Sequence, residues 1–252
     1  MFARKEFAMN NLCMGGGGQF VSRDEVALIQ TPQSTASWKP VPHIDVINSV
    51  TKVIEAHKWQ ITKEQYGLAR EGQKMFGVIE LNNSRSPDHK RAIGIRNSHD
   101  KSFSVGLSAG ICVCVCSNLA FGGSTVIKKR HTSGLELTEL IDVAIESIEN
   151  EFLITETVVE DLKILYLKND DDARCRIVRA AEMGVINSSD IVPVFKEFKN
   201  PQHEEFLEPT RYSLMNAITE TVKKYTPQRL DQTYLSLNRA FGLDGNRPEL
   251  WK

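Results

Sequence analysis

The sequence predicts an α+β fold: a mostly antiparallel sheet with a packed helix in the N-terminal half, and a helical C-terminal half. Three observations predict it. Short alternating apolar runs succeed one another between residues 59 and 127, with connections too short for helical crossovers. From Leu135 onward the apolar spacing changes to three and four. A chain of 252 residues, 41% hydrophobic and 25% charged, is long enough to bury a core without disulfide or metal staples. No run of about 18 apolar residues is present, so no membrane span is expected.

Residues 1–22 lack periodicity and contain Gly15–Gly18, which reads as a flexible arm. Residues 31–42, TPQSTASWKPVP, read as an extended connector anchored by Trp38. The expected division is therefore 1–42 arm and connector, 43–133 α+β domain, and 134–252 helical region. His43 to Lys58 is a helix, with Ile44, Ile47, Val50, Val53 and Ile54 on one face and Pro42 before its first turn. Strand-like runs follow at Trp59–Ile61, Tyr66–Leu68, Lys74–Leu81, Arg91–Arg96, Phe103–Leu107, Ile111–Cys116 and Ser124–Ile127, with a short helix over Ser104–Cys112 as the alternative reading. The second half predicts helices at Leu135–Ile148, Val158–Leu167, Ala173–Met183, one capped by Ser188-Ser189-Asp190 and running to Lys199 with Pro193 in its first turn, Arg211–Tyr225 and Gln228–Phe241. Asp170–Asp172 cap the third, Gly184 stops it, and Pro227 and Gly242 bound the last.

Of five cysteines, Cys112, Cys114 and Cys116 alternate on one strand face, about 6.5–7 Å apart. Strand neighbours at that spacing neither bridge nor share a zinc without a turn, so buried, unpaired thiols are expected. An odd count with no signal-peptide pattern points to a reducing cytoplasm. His43, His99, His131 and Asp100 show no metal-ligand spacing, and neither metal nor cofactor is expected.

The near-neutral total hides an asymmetry. Residues 1–133 carry 17 Lys and Arg against 10 Asp and Glu, net +7; residues 134–252 carry 14 against 22, net −8. Between Arg130 and Lys163 lie nine acids and no Lys or Arg, among them Glu139, Asp142, Glu146 and Glu149. The split suggests a polyanion-binding front half and an acidic, partner-facing back half; solvated helix faces produce the same count.

The densest polar cluster is Gly94-Ile95-Arg96-Asn97-Ser98-His99-Asp100-Lys101-Ser102-Phe103, between two strands. Sequential Ser, His and Asp do not converge as a nucleophilic triad, and no GxSxG elbow occurs here. Arg96, Asn97 and Lys101 suit a phosphate or nucleic-acid contact, whereas Asn, Ser and Asp equally suit a structural turn. Lys128, Lys129 and Arg130 form a second basic cluster, with Phe121 nearby as a stacking face.

At these residues the chain resembles the uncharacterised phage/plasmid-like proteins, a domain-of-unknown-function family of mobile elements. The matching pieces are TPQSTASWKPVPH at 31–43, GLAREGQKMFGVIEL at 67–81, GIRNSHDKSFSVGLSAG at 94–110 and VCSNLAFGG at 115–123, with a weaker piece, RYSLMNAITETVK, at 211–223. The resemblance implies a mobile-element protein of the bacterial host's cytoplasm but no reaction. The expected function is therefore non-enzymatic association with DNA, single-stranded favoured, similar to single-strand annealing or recombination proteins. The alternative is an anti-defence inhibitor that binds a host defence protein, or mimics DNA, through Glu139, Asp142, Glu146 and Glu149. A third reading is an enzyme built on the 96–102 loop. A homo-oligomer is expected.

Overall fold

The alternating runs of the first half pair into a single antiparallel meander. The computed structural model describes residues 18–82, 84, 89–113, 119–129 and 137–252. Its six strands are β1 (Gln19–Val21), β2 (Ile61–Ala69), β3 (Lys74–Leu81), β4 (His89–Ser98), β5 (Val105–Val113) and β6 (Leu119–Lys129), and they lie side by side in chain order. Two helices precede β2: α1 (Arg23–Ala27) and α2 (His43–Ala56). The second half is α3 (Leu137–Ile164), α4 (Asp170–Glu182), α5 (Ile191–Lys199), α6 (Arg211–Val222) and α7 (Pro227–Phe241), with 3-10 turns at Ser188–Asp190, Glu204–Phe206 and Glu249–Trp251. The expected α+β class, antiparallel sheet and helical second half are all present.

Several boundaries differ from expectation, and three of them matter most. The helices expected at 135–148 and 158–167 are one, α3. Val105–Leu107 and Ile111–Val113, expected as parts of two strands, belong to one strand, β5, and no helix forms over 104–112; residues 114–116 of the second run lie outside the described residues. Part of the expected flexible arm is ordered: β1 pairs with β2, Val21 opposite Tyr66, and Ser22 then caps α1. In that cap the Ser22 hydroxyl accepts from Glu25 N (3.2 Å) while Ser22 N donates to Glu25 Oε2 (2.6 Å), a reciprocal box that starts even a five-residue helix.

One sheet face carries Met75, Ile79, Leu81, Ile93, Ile95, Leu107 and Ala109, because alternate residues share a face. Val46, Ile47, Val50, Val53 and Ile54 of α2 and Ile141, Ile148 and Phe152 of α3 join these in one core. Gly77 sits opposite Tyr66, whose ring stands 2.9 Å from where a Cβ at 77 would be, so any side chain there would displace it. A polar tie reinforces this layer. Arg91 grips Glu156 of α3 through Nε to Oε1 (2.9 Å) and Nη2 to Oε2 (3.0 Å), with both side chains buried and the guanidinium 5.1 Å from the Phe152 ring centroid. Glu156 is therefore no surface acid.

A second core lies among the helices. It holds Val159 and Leu162 of α3, Ala173 and Ile177 of α4, Leu214 and Ile218 of α6, Leu237 and Phe241 of α7, and Ile111 of β5. Asn169 caps α4 by accepting from Asp172 N. α7 begins with Pro227 and ends at Gly242 in the left-handed region (φ 71°). No helix among the described residues is long and apolar enough to cross a membrane.

Candidate nucleic-acid interface

Strand alternation divides the polar run 96–99 between the two sheet faces. Arg96 and Ser98 belong to one face and Asn97 and His99 to the other, so the side chains do not act as one cluster.

Asn97 and His99 point into the core side and hold the connector. Asn97 is fully buried; its Nδ2 donates to the Val41 carbonyl (2.8 Å) and to His43 Nδ1 (2.8 Å). His99 Nε2 donates to the same Val41 carbonyl (2.9 Å), and His43 Nε2 donates to the Gly72 carbonyl (2.9 Å) in the β2–β3 turn. Carbonyls only accept, so both imidazoles carry a proton on Nε2, and His43, whose Nδ1 accepts from Asn97, is the Nε2 tautomer. The two rings stack at 3.8 Å and 4°. Burial pushes the His99 pKa down, against the Val41 hydrogen bond and the Asp100 charge, which push it up. This clasp joins the connector, the start of α2 and both sheet turns. The nucleic-acid role expected for Asn97 is thus corrected: its amide is spent on the interior.

The rest of the loop is likewise committed. Ser98 Oγ donates to Phe103 O (2.6 Å), and Asp100 Oδ1 accepts from Ser102 N (3.0 Å). Burial would raise the Asp100 pKa, but the Ser102 bonds, Lys74 at 3.7 Å and Arg70 at 4.0 Å hold it below the usual range. Exposed Lys101 takes a left-handed conformation (φ 64°), and its Nζ lies 4.8 Å from the Trp38 ring centroid. Trp38 does anchor the connector, half-buried beneath that loop.

Arg96 faces the other way. Its guanidinium is half-buried, 5.4 Å from the Phe103 ring centroid; burial pushes its pKa down, yet an arginine remains a cation at neutral pH. Buried Lys74 lies 5.4 Å from the same ring, and Phe76 packs against it with centroids 5.5 Å apart. The register extends this corner across the sheet. Phe20, Gly67, Phe76, Arg96, Gly106 and Lys128 are successive cross-strand partners, one from each strand. Lys128 therefore occupies the row of Arg96, while Lys129 is opposite Val105, one position out of it. Phe121 stands opposite Gly110, further along the sheet. Phe121, Lys128 and Lys129 are described by their backbone alone, and Arg130 lies outside the described residues.

Sequence reasoning missed Lys74, Phe76 and Phe103 as companions of Arg96. The signal was present in the alternation of Lys74 and Phe76 on β3, but the register that sets Phe76 beside Arg96 is a tertiary fact. The buried thiol of Cys112 packs beside Phe76, Val78 and Ala92. Cys114 and Cys116 lie outside the described residues, as does His131. Of the acids read as a partner face, Glu149 is exposed on α3; Glu139, Asp142 and Glu146 are described by backbone alone. No group of three or more His, Cys, Asp or Glu suited to a metal occurs among the described residues.

A family model described as Domain of unknown function (DUF932) matches residues 33–241. The chain belongs to that family. In this DUF932 chain the match runs from the connector through α7, so it takes in the histidine clasp and five of the six positions of the cross-strand row. No curated protein and no solved structure matches the chain.

Proposed function

We propose that this protein binds single-stranded nucleic acid across the sheet face that carries Arg96, without catalysing a reaction. The supporting observation is the row Phe20–Gly67–Phe76–Arg96–Gly106–Lys128, which alternates aromatic, glycine and basic positions across all six strands. At about 4.8 Å per strand the row spans roughly 24 Å, enough for a few nucleotides. Phe20 is 45% exposed at the edge strand and offers a stacking face; buried Phe76 is the floor beneath Phe103. Gly67 and Gly106 are buried, so the contacts of this reading fall to Phe20 at the sheet edge, half-buried Arg96 and the Lys128 position. In this reading the mobile-element setting implied by the resemblance makes the ligand the element's own DNA, in the host cytoplasm, handled during annealing or recombination.

The test is fluorescence anisotropy of labelled oligothymidine against the full chain over a salt series. Affinity should fall steeply with salt. Arg96→Ala and Lys128→Ala should each flatten the log–log slope by about 0.7 per lost phosphate contact. Phe20→Ala should cost about 1–3 kcal/mol of binding and leave the slope unchanged. No binding at about 50 mM salt refutes the reading and leaves a protein-directed inhibitor acting through the acidic helix α3.

A further inference from the structure

We propose that the apolar ridge at the C-terminal end of α3 is a docking surface for a basic protein segment bearing apolar side chains. Ile164, Leu165, Tyr166 and Leu207 are 73%, 39%, 59% and 62% exposed. Single exposed apolar residues are ordinary on any protein, but a contiguous group marks an interaction site. Here hydrogen bonds fix the backbone that carries Leu165 and Tyr166. Arg211 N donates to Leu165 O (2.8 Å), Leu167 N donates to Pro209 O (2.9 Å), and Tyr166 and Thr210 form an antiparallel bridge between them. Residues 209–211 thus run antiparallel to 165–167, and Leu207 precedes that pairing by two residues. Leu167 and Phe206 are buried in the helical core directly beneath. The ridge is therefore held by its backbone and its floor, so little ordering entropy is lost when a partner arrives.

The rim identifies the partner. Glu204, Glu205 and Glu208, which flank Leu207 in sequence, and Glu160 and Asp161, in the last turns of α3, are all exposed. Glu160 is already joined to Lys163 (2.9 Å), whereas Glu204, Glu205 and Glu208 form no ion pair among the described residues. Exposed Lys168 and half-buried Arg211, which stacks 4.3 Å from the Trp251 ring centroid, only partly offset them. An acid-rimmed ridge repels nucleic acid and anionic lipid, whose phosphates need cations. It attracts a segment with Lys or Arg beside Leu-like side chains, and Tyr166 is the residue type that anchors such contacts.

The experiment measures binding of a short labelled Leu/Lys peptide to the full chain, with a Leu/Glu peptide as the opposite-charge control. The native chain should bind the Lys peptide at least about tenfold more tightly than the Glu peptide. The double variant Tyr166→Ser, Leu207→Ser should lose about tenfold or more in affinity with an unchanged melting temperature. Should that variant melt early, the triple variant Glu204→Gln, Glu205→Gln, Glu208→Gln leaves the floor intact and should lose affinity and salt sensitivity together. Equal binding of both peptides, or affinity untouched by either variant, overturns the proposal. So does concentration-dependent self-association that Tyr166→Ser abolishes, since the occupant would then be a second copy of this chain.

Discussion

His43, Asn97 and His99 carry the sharpest residue-scale consequences. Burial keeps the His99 pKa below its ordinary value of 6.5. The unfolded chain takes up its proton as the pH falls through about 6.5, while the folded chain resists until lower pH. This contribution to stability is therefore complete above that value and is lost as the pH falls toward the folded pKa. Melting temperatures measured from neutral to mildly acidic pH should show that decline, and His99→Gln should flatten it. An unchanged profile in the variant would place the titration elsewhere. Asn97→Ala should cost about 1–3 kcal/mol, because it strips the buried acceptor His43 Nδ1 of its donor and the Val41 carbonyl of one of two. Lys101→Ala, on an exposed loop, should stay within about 0.5 kcal/mol of the parent. Chemical denaturation of the two variants reads this difference, which separates the structural half of the loop from its surface half.

At the scale of elements, one buried ion pair ties α3 to the sheet beside the apolar contacts of Ile141, Ile148 and Phe152. Glu156→Gln should destabilise by about 3–5 kcal/mol, since it leaves Arg91 charged and buried without its partner. Replacing Arg91 and Glu156 together by Leu should recover much of that loss, as measured by urea denaturation. Gly242→Ala should also be costly. Its φ of 71° already lies where an L residue loses about 1–2 kcal/mol, and a Cβ would come within 2.4 Å of Asn246 O. The punctuation of α7 was legible in the sequence, because Pro227 and Gly242 act locally; for α4 the expected caps Asp170–Asp172 lie in the first turn, and the cap is Asn169, one residue earlier. The run Lys74–Leu81 was legible as β3 because its ends are turn residues. The fusion of 135–148 with 158–167 was not, since residues 149–157 hold Glu149, Glu151 and two threonines that break the apolar stripe. Inside the fold, Thr155 bonds Leu243 O and Glu156 bonds Arg91, so tertiary partners satisfy what local pattern leaves open. The pairing of β1 was hidden for the opposite reason: three residues show no period at all. For the interface, residue types pointed to the Arg96 loop, but only register separates Arg96 from Asn97 and joins it to Phe76.

The charge division at residue 133 and the packing of the whole molecule pull in different directions. Charge separates a front half of +7 from a back half of −8. Packing joins them, because α3 supplies Ile141, Ile148 and Phe152 to the sheet core and Val159 and Leu162 to the helical core. β5 returns Ile111 to the helical side, and Tyr234 of α7 packs against the Phe76 layer of the sheet. A fragment ending at residue 133 would lose three fully buried side chains from its own core. At about 1.5–3 kcal/mol each, that is roughly 5–9 kcal/mol, against a whole-domain stability of about 5–15 kcal/mol. It would also leave Arg91 buried or exposed without Glu156. Residues 1–133 expressed alone should therefore show no cooperative thermal transition by circular dichroism. Co-expression with residues 134–252 should restore one, since the two pieces together hold every contact of both cores. A sharp melt from the front fragment alone would show that α2 suffices to cover the sheet, and would make the basic half an independent unit.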